Sequence, residues 1–233
     1  MPLDNITKNA IYNYCNNHLA DEAWYEERFE FIQDEYLRKR LVEEFKGTRF
    51  AYKIYEGIEA KDENLIFEVR HQILSYATIY EAVLHYVLYN YYNQTQEFND
   101  LLYHYAPARV SIPAQQLNKI NALLEHNGES IIPYHLQRRK KQDPEVRFED
   151  KCRTAEQLGI IHKFINEDGK EVDLPSEVIE IFGYRNGIHL IAEQRKGITY
   201  ELNLSKLAYR RMQPFINQIK ERLQADRKGI YES

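Results

Sequence analysis

Residues 63–93 constrain this chain more than any other segment. Ile66, Val69, Ile73, Tyr76, Tyr80, Val83 and Val87 recur at helical spacing and form one apolar stripe. Leu74, Ala77, Leu84 and Leu88 form a second. A helix with one apolar stripe can rest on a surface, whereas a helix with two must be surrounded. The segment therefore predicts a mainly α fold, a helical bundle built around this central helix. Gly and Pro are scarce, at nine and seven, which favours long helices over chains of tight turns.

The flanking pattern fits that prediction. Residues 4–46 read as helical, with Asp21 capping a second helix and Gly47 stopping the run. A short helix is expected over 96–105, a strand-like alternation from Ala108 to Ile112, and a helix from Gln115 to His126 that stops at Asn127-Gly128. Ser130 to Leu136 reads as extended or loop. Arg147 to Leu158 returns to helix and closes at Gly159. Ile160 to Leu174 reads as a small β-hairpin insertion turning at Asp168-Gly169. Ser176, with Pro175 before it, is expected to cap the next helix, and Leu204 to Leu223 forms the last, kinked at Pro214. The resulting division is an N-terminal helical extension over 1–60 and a bundle over 63–226.

The formal charge is −5, so nucleic-acid binding would need a local basic patch. One basic block exists, Arg138-Arg139-Lys140-Lys141. It reads either as a solvated loop or as a phosphate-contacting patch. Nineteen tyrosines serve either a core and interface or base-stacking platforms. Cys15 and Cys152 form no metal or disulfide pattern with nearby residues, so no metal or cofactor is expected and a reducing, cytoplasmic setting fits. No signal peptide and no membrane span are visible.

The chemistry-bearing motif is Arg185-Asn186-Gly187-Ile188-His189-Leu190. If helical, Arg185 and His189 share one face. Arg binds phosphate bidentately and His moves protons near neutral pH, so the pair can hold and cleave an RNA phosphodiester. The capped, amphipathic run from Ser176 to Phe182 favours helix. A β-meander over 179–204, turning at Asn186-Gly187, is the structural rival. Glu81 lies on the second apolar stripe of the central helix, where a carboxylate needs a partner. Arg185 is the expected one, with His85 one turn on.

Three segments carry a family resemblance. Ser75 to Leu88 resembles the second helix of HEPN (higher eukaryotes and prokaryotes nucleotide-binding) domains. Ala155-Glu156-Gln157-Leu158-Gly159-Ile160-Ile161 is similar to a segment upstream of the motif in some HEPN families. Tyr184 to His189 resembles the Arg-Asn-x-x-x-His signature. The resemblance spans residues 63–225. The usual signature places four to six residues between Arg and His, and this chain has three. A Tyr found two residues beyond the His in some HEPN toxins is here Ile191.

The resemblance implies a HEPN-like bundle that dimerises, with two motifs facing each other across the interface. It implies a metal-independent endoribonuclease of a toxin or antiviral defence system, with RNA and an antitoxin or defence-system protein as partners. Arg185 and His189 are then catalytic, Asn186 and Glu81 supporting, and Arg138, Arg139, Lys140 and Lys141 RNA-binding. The alternative is a catalytically silent HEPN-like protein that binds RNA, nucleotide or a protein partner.

Overall fold

The computed structural model describes residues 2–124, 127, 129, 131–188, 191, 194–195 and 197–231. The chain is mainly α-helical, with two small antiparallel strand pairs among the described residues. It divides into two compact units, residues 1–93 with 148–233, and residues 94–147.

The first unit is organised around one helix. α1 (Asn5–Asn17), α2 (Glu22–Arg28) and α3 (Glu35–Gly57) precede the central α4 (Asp62–Tyr91). The aspartates Asp4, Asp21 and Asp34 start the first three by accepting from backbone N–H groups that have no carbonyl partner in the first turn. Gly47 lies inside α3 and does not end it. A mid-helix glycine costs only about 1 kcal/mol. The burial of Leu41, Val42 and Phe45 before it, and of Thr48 after it, outweighs that cost.

α4 is buried on the stripe that begins at Val69 and runs through Ile73, Tyr76, Tyr80, Val83 and Val87. Ile66, one turn before that stripe, and Leu74, of the second stripe, are exposed. Aromatic rings fill the joint with the N-terminal helices. Phe45 of α3 meets Trp24, Tyr25, Phe29 and Tyr76 with ring centroids 5.9, 5.5, 6.1 and 6.2 Å away. Residues 1–60 thus share a core with the central helix. Burial of each such ring stabilises the fold by roughly 2–3 kcal/mol.

Three more α-helices of this unit lie wholly among the described residues. They are α7 (Phe148–Gln157), α8 (Leu174–Asn186) and a long C-terminal helix, α9 (Leu202–Ala225). Gly159, at φ +68°, closes the turn after α7. β3 (Phe164–Ile165) and β4 (Glu171–Val172) form the expected hairpin, with Gly169 at φ +74° in its turn. α8 starts earlier than expected. Asp173, not Ser176, is its cap and accepts from the Ser176 N–H at 3.1 Å. Pro175 then occupies the first turn, where its missing N–H costs nothing. Pro214 lies within α9. No described helix is long and apolar enough to cross a membrane.

The second unit holds α5 (Gln96–Leu102), β1 (Tyr103–Arg109), α6 (Ala114–Leu124) and β2 (Tyr134–Lys140), followed by a short 3₁₀ turn at 143–145. The helix expected over 96–105 ends at Leu102, and the strand begins there rather than at Ala108. The last residues of the expected helix, Glu125 and His126, lie outside the described residues. β1 and β2 pair in full antiparallel register, from Tyr103 opposite Lys140 to Arg109 opposite Tyr134. Hydrogen bonds from Lys141 N to Leu102 O (2.8 Å) and from Val110 N to Pro133 O (2.9 Å) extend the ladder at both ends.

Candidate functional site

The conspicuous surface is the β1–β2 ribbon. Antiparallel partners point to the same side, so the register sorts its side chains into two faces. One face carries Tyr103, Tyr105, Pro107 and Arg109 with Lys140, Arg138, Leu136 and Tyr134. The other carries His104, Ala106 and Ala108 with Arg139, Gln137 and His135. Neither strand contains an acidic residue. Every residue of β2 is exposed, and Tyr105 and Tyr134 are 68% and 64% exposed. Arg138 lies over the Tyr103 ring, 4.1 Å from its centroid, which fixes the guanidinium and leaves its edge for a ligand. Gln96, Asn99 and Asp100 of α5 join Tyr103, Tyr105 and Arg138 around a cleft of about 450 Å³.

The sequence placed the basic block in a loop or a phosphate patch. The structure places Arg138, Arg139 and Lys140 on a strand and Lys141 just after it. The tyrosines opposite them were not singled out in the sequence. Their signal was the alternation Tyr103-His104-Tyr105, hidden because Pro107 reads as a strand breaker. A two-stranded ribbon has only edge strands, where a proline is tolerated.

The Arg185 motif is a helix end. α8 runs through Arg185 and Asn186, and Gly187 caps it with helical backbone angles (φ −89°, ψ −3°). The helix over Leu174–Asn186 removes the meander alternative for that stretch. The helix ends at Asn186, and Ile188 is not helical. His189 itself lies outside the described residues. Asn186-Gly187 reads in sequence as a left-handed turn pair, yet Gly187 is there for close approach. A Cβ on it would collide with the Ile198 side chain.

This end is clamped by Tyr200. Its hydroxyl donates to the Tyr184 carbonyl at 3.0 Å, and its ring packs with Val69 and Ile73 of α4. The Tyr184 hydroxyl donates to Glu180 at 2.7 Å, and that bond, with burial, pushes its pKa up to about 12. Arg185 is half-buried. Its guanidinium lies 5.0 Å from the Phe182 ring centroid and donates to the Asn186 side-chain oxygen at 3.2 Å. Phe182 in turn stacks on Phe148, with centroids 4.2 Å apart.

The expected Glu81–Arg185 pair does not form. Among the described residues, no ion pair or hydrogen bond joins them, and Glu81 is only half-buried on α4. His85 is exposed and its ring stacks on Tyr89 at 4.0 Å. The buried carboxylate of α4 is Glu68, 3% exposed, which accepts from Gln72 at 2.6 Å. Burial pushes its pKa up to about 7, and the Gln72 bond offsets only part of that rise. No group of three or more metal-ligating side chains is present among the described residues. Cys15 and Cys152 are both buried free thiols, and burial raises the pKa of each.

Comparison with protein-family models, curated proteins and solved structures finds no match.

Proposed function

We propose that this protein binds single-stranded RNA, with the β1–β2 ribbon as its contact surface. The observation that carries the reading is the shared face of Tyr103, Tyr105 and Tyr134 with Arg109, Arg138 and Lys140. Cations at strand spacing meet successive phosphates, and exposed rings stack on unpaired bases. An acidic chain that concentrates cations on one exposed ribbon limits non-specific attraction elsewhere.

A second, catalytic reading rests on Arg185 and on the resemblance to HEPN ribonucleases. Arg185 makes no ion pair with a carboxylate among the described residues, so its charge is available to a phosphate. In that reading His189 takes the ribose 2′-hydroxyl proton as the oxygen attacks phosphorus. The bond to the 5′-oxygen then breaks. That oxygen takes a proton from the His189 of a second copy, leaving a 2′,3′-cyclic phosphate. Arg185 and Asn186 hold the phosphate oxygens. The dimer supplies the second histidine that one motif lacks. A toxin or defence role, with a partner protein that restrains it, follows from the same resemblance.

One RNA titration, run with chelator at several salt concentrations, tests both readings. Replacing Arg109, Arg138 and Lys140 by Gln should weaken binding at least tenfold. It should also reduce the salt slope by about 2, since each single-strand phosphate contact contributes about 0.7. Tyr105→Ala should weaken binding while leaving that slope unchanged. Unaltered affinity in the triple variant would remove the ribbon from RNA binding. Product analysis of the same mixtures decides the catalytic reading. Cleavage by the wild type that is lost in His189→Ala and Arg185→Ala supports it, and equal cleavage in all three sinks it.

A further inference from the structure

The helical unit holds a second cluster of cations, in a different unit from the ribbon. Arg49, Tyr52, Lys53 and Glu56 recur at the i, i+3, i+4, i+7 spacing of one face of α3. Ser205, Lys206, Tyr209 and Arg210 come from the first turns of α9. Together with Gln72 of α4 they line one cleft of about 220 Å³.

The charges in this cleft are unbalanced. Glu56 is the only carboxylate lining it among the described residues, and Lys53 takes it at 2.5 Å. Arg49, Lys206 and Arg210 form no ion pair among the described residues. The rest of α9 behaves differently. Arg211 pairs with Glu177, Lys220 with Glu30, and Arg222 with Asp226 at 3.0 Å. Cations on this helix are neutralised outside the cleft and left bare within it. Self-repulsion among three clustered cations costs stability unless an anion offsets it.

The cleft is also preorganised. The Arg49 guanidinium lies 3.8 Å from the Tyr209 ring centroid and 5.0 Å from that of Tyr52, which holds its plane. Gln72, 1% exposed, is fixed by donating to the Thr48 carbonyl at 2.8 Å and to Glu68 at 2.6 Å. A stacked guanidinium loses little freedom when it grips an oxyanion.

We infer that the α3–α9 cleft binds a phosphate dianion, either free or as the monoester of a small molecule. Three uncompensated cations suit a group that carries close to two negative charges near neutral pH. A phosphodiester carries one, and its two substituents need an open track. The volume lies below the roughly 300 Å³ of sites that enclose a whole drug-sized ligand, so the phosphate head fills the cleft and any remainder projects outward. Free phosphate and the phosphate of a small sugar ester share this chemistry.

Calorimetric titration of the full chain with inorganic phosphate and with ribose 5-phosphate, at constant ionic strength set by chloride, tests the inference. Saturable binding is expected for at least one of them. Lys206→Gln and Arg210→Gln lie at half-buried and exposed positions and should each weaken it at least tenfold while helical circular dichroism is retained. Tighter binding of ribose 5-phosphate assigns the site to an ester, and equal or tighter binding of phosphate assigns it to the free anion. Gln at Arg109, Arg138 and Lys140 should leave the binding intact, which separates this site from the ribbon. Absence of saturable binding in the wild type, undiminished binding in both cleft variants, or loss only in the ribbon variant overturns the inference.

Discussion

Two glutamates on one helix show how much a single side chain depends on helical phase. Glu81 lies on an apolar stripe in sequence, yet it is half-buried and Glu68 is the one enclosed. Glu68, Gln72, Tyr76 and Tyr80 step by four along the buried side of α4, and nothing in their letters marks the first as interior. Periodicity assigns a face to within a residue or so, and that error is enough to exchange one carboxylate for another. Glu68 has a measurable consequence. Its pKa is raised from about 4.5 to about 7, so the folded state binds the extra proton in that window. Stability therefore falls as pH rises through it, by roughly 3 kcal/mol in total. Glu68→Gln keeps a hydrogen-bonding group for Gln72 and has no charge to bury. Urea unfolding should show the variant level with wild type near pH 5 and about 2 kcal/mol more stable at pH 8. A difference that does not change between those pH values would mean that Glu68 is not a titrating buried carboxyl.

Elements were more legible than side chains where burial is periodic, and less so where it is not. α4 spans Asp62–Tyr91 against an expectation of 63–93, because two stripes leave little freedom in where such a helix runs. The N-terminal segment reads as two helices divided at Asp21, whereas the structure has three, with Asp34 beginning the third. Asp21 was recognised as a cap, whereas Asp34 was hidden by the charged run around it. The β1–β2 ribbon has almost no buried face, so its alternation carried no hydrophobic signal. Contacts between elements were not legible at all. The Tyr80 hydroxyl donates to the Ala208 carbonyl at 2.7 Å and ties α4 to α9, and its ring meets Phe215 edge-on at 4.8 Å. Tyr80→Phe removes that bond and keeps the ring. It should cost about 1 kcal/mol by denaturant titration with the m-value unchanged. No loss of stability would show that the hydroxyl contributes nothing to joining the two helices.

On the scale of the whole molecule, stability and proposed RNA contact are assigned to different units. Residues 1–93 with 148–233 hold the aromatic core around α4, and Tyr76, Tyr80 and Phe215 are fully enclosed there. Between 94 and 147 the buried side chains among the described residues are Phe98, Leu101 and Val146. A ribbon with so little apolar cover opens without breaking the core. Its backbone amides should therefore exchange with solvent at least about a hundredfold faster than those of α4. RNA that bridges both strands must be released before the ribbon opens, so binding adds its own free energy to the protection there. Hydrogen exchange with and without a single-stranded RNA oligonucleotide should show slowed exchange over 103–109 and 134–140. The interior of α4, already slow, should change little. Slowing confined to the end of α8 would locate the RNA at Arg185 instead, and uniform slowing across both units would mean global stabilisation rather than contact at the ribbon.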